Sequence, residues 1–122
     1  AALITRGLSE ITRLGVACGA APQTFFGLSG LGDLVLTCTG DLSRNRSVGL
    51  ALGRGKKLTT IIADMQMIAE GVKTTRSMYE LAHTHGVEMP ILDQVYQVLY
   101  QGKDCRDAVG ELLTRRLKTE EL

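Results

Sequence analysis

Apolar residues recur at helical spacing along most of the chain. Ile4, Leu8, Ile11, Leu14 and Cys18 share one face of residues 2–18, which predicts an amphipathic helix. Gly19 and Pro22 punctuate its end. After the short apolar run "FFGLSG", the segment "DLVLTCT" (33–39) reads as a helix opened by Asp33, and Gly40 ends it. Ser43 is the expected N-cap of a helix carrying Val48, Leu50 and Leu52, which stops at Gly53 or Gly55. Thr59 or Thr60 is expected to cap a helix over about 60–66. "MIAEGV" then reads as a short turn-like link.

The second half is more regular. Residues 72–85 carry Val72, Met78, Tyr79 and Ala82 and end at Gly86. Pro90 opens a helix with Ile91, Leu92, Val95, Tyr96, Val98 and Leu99, ended by Gly102. The cleanest stripe, Cys105, Ala108, Val109, Leu112 and Leu113, lies on a last helix over about 104–117, before a charged, frayed tail. No period-2 alternation survives, so the expected fold is all-α: one compact domain over 1–122 with seven or eight helices. The leucine, methionine and tyrosine stripes read as core.

Composition narrows the function. The 122 residues are 44% hydrophobic and 22% charged, an ordinary globular balance with enough length for one core. A net charge of +1 gives no support to a nucleic-acid role. No apolar run is long enough to span a membrane. Cys18, Cys38 and Cys105 are odd in number and widely spaced, which points to reduced thiols and a cytoplasmic setting. His83 and His85 have no paired cysteines nearby, so no metal site is expected. Both lie at a predicted helix C-terminus, where an imidazole suits the dipole, and neither is assigned a catalytic role. The chain opens at full helical strength without an initiator Met, as a piece of a longer protein would.

Candidate chemistry sits in the breaks between helices. Gly27, Gly30 and Gly32 invert the spacing of a dinucleotide fingerprint and follow no strand, so they read as tight turns or close helix approaches. Asp33 is either a helix cap or a carboxylate that orients a substrate group. Ser43-Arg44-Asn45-Arg46 combines a guanidinium fork with neutral donors at a helix start. That set suits phosphate oxygens, and equally an N-cap with solvated arginines. Lys56 and Lys57 either extend that positive field or form surface charge pairs. Glu70 beside Gly71 can accept from ribose hydroxyls or serve as the first acid of the next helix.

Four stretches, "AALITRGLSEITRLGVACGA", "TFFGLSGLGDLVLTCTGDLSRNRSVGLALGRG", "IAEGVKTT" and "GVEMPILDQVYQVLYQGK", carry a resemblance over residues 1–115. Together they resemble the C-terminal domain of bacterial NAD(P)-dependent sn-glycerol-3-phosphate dehydrogenases. The resemblance implies an enzyme that interconverts dihydroxyacetone phosphate and sn-glycerol 3-phosphate with NAD or NADP, for phospholipid synthesis. It implies an N-terminal Rossmann domain and a catalytic lysine, both upstream of Ala1. On that resemblance Asp33, Ser43, Arg44, Asn45 and Thr37 bind substrate, and Arg44, Ile68 and Glu70 contact the cofactor. The piece alone is then expected to be inactive. A face around "FFGLSG" and "MIAEG" would be bare without its partner domain and could support a homodimer. Two other readings remain. One is a substrate domain for a different phosphorylated or acidic hydroxy compound. The other is a non-catalytic helical interaction module, whose partner would meet the arginine patch.

Overall fold

A computed structural model describes residues 2–25, 27, 44–64 and 70–120. Among them stand six α-helices, a short 3-10 turn and no strand, so the fold is all-α. The helices are α1 (Ala2–Ala17), α2 (Arg44–Gly53), α3 (Leu58–Asp64), α4 (Glu70–Thr84), α5 (Pro90–Tyr100) and α6 (Cys105–Glu120). The 3-10 turn is Pro22–Phe25. Seven or eight helices were expected from the periodicity; the one over 33–39 lies outside the described residues.

Glycine stops the helices. Gly19, Gly55, Gly86 and Gly102 all have positive φ, and no other residue type does among the described residues. At Gly86 the motif is complete: its own N–H reaches the His83 carbonyl and the Val87 N–H reaches that of Ala82. The second helix therefore turns at Gly55, not at Gly53, which is still helical. Cys18 falls in the turn after α1 and is exposed, so it drops out of the apolar stripe expected for that helix.

Two starts and one end differ from the periodicity. The Lys57 carbonyl accepts from the Ile61 N–H at 3.1 Å, so α3 begins at Leu58 and takes Thr59 and Thr60 into its first turn. Glu70, Gly71 and Val72 form the first turn of α4, not a link. An acid in that turn suits the dipole, and a partner from another helix satisfies one of its free N–H groups. At α6 the Asp104 carboxylate accepts from the Arg106 N–H at 2.7 Å, and the helix runs on to Glu120, past the expected end.

Two small cores result. Leu14, Ala82 and Met89 join α1, α4 and the loop before α5. Val48 and Ile61 join α2 and α3, with Val72 and Leu99 packed against them. The α6 stripe is only half used: Ala108 is buried, but Val109 and Leu113 are 55% and 54% exposed. The tyrosines form a seam between α4 and α5. Tyr79 and Tyr96 stack at 3.8 Å between ring centroids, and Tyr100 follows at 5.2 Å from Tyr96.

Candidate functional site

The site is built where two helix beginnings meet. Arg44 and Asn45 are the first two residues of α2, and Glu70 and Gly71 the first two of α4. The Gly71 N–H donates to Asn45 Oδ1 at 2.8 Å, across 26 residues of sequence. Gly71 would otherwise be an orphan donor at its helix start, so Asn45 caps a helix to which it does not belong. The approach is close: a Cβ on Gly71 would lie 2.5 Å from Asn45 Oδ1. Both helix dipoles direct their positive ends here, which favours an anion.

The first turn of α4 is fastened at further points. The Thr75 hydroxyl, on a buried side chain, donates to the Gly71 carbonyl at 2.6 Å. The Tyr100 hydroxyl at the end of α5 donates to the Val72 carbonyl. Glu70 is exposed beside these contacts, its carboxylate available to hydroxyl donors. Asn45 and Gly71 also line an apolar cavity of about 380 Å³ between α2, α4, α5 and α6, together with Val48, Val72 and Leu99.

Of the residues expected at the site, the structure joins Asn45 to the Glu70–Gly71 turn and places Arg44 at the adjoining helix start. Asp33, Thr37, Ser43 and Ile68 lie outside the described residues. Lys56 and Lys57 do not extend the field at Asn45. They follow the far end of α2, about 15 Å away along a ten-residue helix. There they line an open polar groove with Arg54, Lys103 and Arg106. His83 sits in the last turn of α4, where Nδ1 donates to the Tyr79 carbonyl at 2.9 Å.

Sequence reasoning passed over Glu10. It is 3% exposed, and its two carboxylate oxygens accept from the N–H groups of Ile91 at 2.7 Å and Leu92 at 3.2 Å. It therefore caps α5 from α1, a role that Met89, without a side-chain cap bond, leaves open. Burial pushes its carboxyl above the ordinary carboxylate value; the two amides and Arg13 oppose that shift, and Asp93 adds to it. A lone acid within a polar face of α1 gives no sequence signal for a bond formed 81 residues later. Cys18 and Cys105 are free thiols, and burial, then Asp104, raises the Cys105 thiol and keeps it protonated. Among the described residues no group of three or more His, Cys, Asp or Glu could hold a metal ion.

The molecule is thus a helical domain whose polar site lies at two converging helix N-termini rather than on a sheet. The chain belongs to the family described as NAD-dependent glycerol-3-phosphate dehydrogenase C-terminus, which it matches over residues 1–110. It is 68% identical over 120 residues to a glycerol-3-phosphate dehydrogenase [NAD(P)+] of Citrifermentans bemidjiense, covering 98% of this chain and 36% of that one. A protein of the same name from Geobacter sulfurreducens is 64% identical over the same coverage. The crystal structure of glycerol-3-phosphate dehydrogenase from Coxiella burnetii superimposes with a TM-score of 0.88 at 46% identity, covering 92% of this chain and 34% of that one. The chain spans about a third of the length of the curated relatives it matches. Among the described residues no helix is long and apolar enough to cross a membrane.

Proposed function

We propose that this chain is the substrate domain of an NAD(P)-dependent enzyme that interconverts dihydroxyacetone phosphate and sn-glycerol 3-phosphate. An upstream Rossmann domain would hold the dinucleotide and supply the catalytic lysine. The observation that carries the reading is the Asn45–Gly71 hydrogen bond. It brings a residue assigned to the substrate against the turn of a residue assigned to the cofactor. The names of the relatives support the same substrate.

The chemistry divides among the residues by type. Arg44 and Asn45, with Ser43, grip the phosphate, and the two helix dipoles add to the attraction. Holding the remote phosphate orients the reacting carbonyl. Glu70 fits a ribose: its exposed carboxylate accepts from hydroxyls, and Arg44 and Ile68 complete that side. When bound, a reduced nicotinamide supplies the hydride that converts the carbonyl carbon to a secondary alcohol. The alcohol oxygen takes its proton from the upstream lysine, which Asp33 holds in place, with Thr37 near the substrate hydroxyl.

The product would feed phospholipid synthesis in the cytoplasm, a setting that suits the free thiols of Cys18 and Cys105. The face around "FFGLSG" and "MIAEG" on which a partner domain or second copy was expected lies largely outside the described residues. Elsewhere the exposed apolar side chains of Leu3, Val109 and Leu113 support a covering partner.

The test is Arg44→Ala in the full-length enzyme. Substrate binding should weaken by about 1.5–3 kcal/mol, the loss of a charged hydrogen-bond pair. Unchanged kinetic constants would remove Arg44 from the phosphate site. This chain by itself should show no oxidation of NAD(P)H with dihydroxyacetone phosphate, read at 340 nm; turnover there would overturn the two-domain account.

A further inference from the structure

We propose that Gly71 is a positioning residue for the substrate: it sets which face of the Asn45 carboxamide the ligand meets. The inference rests on Asn45 as a substrate ligand.

A backbone N–H can only donate, so the bond from Gly71 fixes the Asn45 oxygen toward α4. Among the described residues nothing takes the Nδ2 hydrogens, so the carboxamide offers them as donors to a ligand. That polarity suits a phosphate or hydroxyl oxygen. The reversed amide would present an acceptor to an anion and repel it.

The space at Gly71 enforces this arrangement. A Cβ there would stand 2.5 Å from Asn45 Oδ1, 2.6 Å from Cγ and 2.9 Å from Nδ2, inside contact distance of all three. Gly71 has no need of a positive φ, since it sits within the first turn of α4. Glycine is a poor helix former, so helix stability alone would favour alanine at this position. The reason for glycine is therefore the close approach of Asn45.

The first turn of α4 is tied to α5 by the Tyr100 hydroxyl on the Val72 carbonyl, and Thr75, on α4 itself, stiffens that turn by holding the Gly71 carbonyl. A methyl group at 71 must be accommodated by Asn45, a flexible side chain at an exposed site. Asn45 would swing away, break its bond and lose its orientation, while the helices stay packed. Because Glu70 precedes Gly71, the same turn ties the substrate side of the site to the cofactor side.

The experiment is a double-mutant cycle in the full-length enzyme, with Gly71→Ala, Asn45→Ala and both together. KM for dihydroxyacetone phosphate is measured alongside KM for the nicotinamide cofactor and the thermal midpoint. Gly71→Ala should raise KM for dihydroxyacetone phosphate by up to about tenfold, close to the rise in Asn45→Ala. The thermal midpoint should hold, because Ala favours the helix. In the double variant there is no side chain left to displace, so its KM should match that of Asn45→Ala within about twofold. Multiplying effects, or an unchanged KM in Gly71→Ala beside a raised one in Asn45→Ala, would overturn the proposal alone. An unchanged KM in Asn45→Ala would overturn the substrate assignment beneath it. If Gly71→Ala fails to fold, the double variant should restore folding; failure to do so would locate the clash elsewhere and end the proposal.

Discussion

Two side chains in this domain perform the same local task for different ends. Glu10 reaches from α1 to cap the start of α5, and Asn45 reaches from α2 to cap the start of α4. Glu10 is charged, buried and spends both oxygens on backbone amides. Asn45 is neutral and exposed and spends one atom, its Nδ2 donors taken by nothing among the described residues. The contrast separates two kinds of cap. A buried charge with all its acceptors engaged is a fastening of the fold, because nothing else can reach it. An exposed amide with one end fixed is a fastening that also presents chemistry.

Removing Glu10 should have the largest effect on stability. Glu10→Ala strands two helix-start amides away from water and is expected to cost about 2–3 kcal/mol, read by urea denaturation of this chain. A loss below about 0.5 kcal/mol would show that water or a neighbour replaces the carboxylate, and the contrast would dissolve.

The sign of the pH dependence sharpens the same point. Burial lifts the Glu10 carboxyl above its ordinary 4.5, so the native state binds this proton more tightly than the unfolded chain. Its contribution is full below the ordinary value and is lost as pH rises through the raised one. Relative to Glu10→Gln, the chain should lose stability as pH rises above the ordinary carboxylate value and through the raised one. A pH-independent difference in melting temperature between the two would mean that the amides of Ile91 and Leu92 fully offset the burial.

The smallest effect on stability belongs to Asn45. Asn45→Ala removes an exposed cap and should cost no more than about 1 kcal/mol, while substrate affinity in the full-length enzyme falls. If this variant unfolded the chain as readily as Glu10→Ala, Asn45 would be a structural cap like the other, and the phosphate grip would rest on Arg44 and Ser43.

Much of this was legible in sequence for local reasons. Helix stops need a residue that tolerates positive φ, so Gly19, Gly86 and Gly102 are visible in the chain itself. Pro90 marks a helix start because its missing N–H costs nothing at that position. The motif around Arg44, Asn45 and Glu70 is equally local, and the family followed from it. The start of α4 was not legible: Glu70-Gly71 reads as a turn until a partner for the Gly71 N–H is known. The α6 stripe misled for the opposite reason. Its apolar spacing is regular, yet Val109 and Leu113 stay exposed because spacing says that a face is apolar, not that something covers it.

The sequence by itself determined the all-α class and most helix ends, since each depends on neighbours within a turn or two. The tertiary structure decided which helix start each cap serves. Glu10 meets Ile91 across 81 residues and Asn45 meets Gly71 across 26. Those pairings depend on how helices pack in space, and no local rule along the chain encodes a distance between residues so far apart.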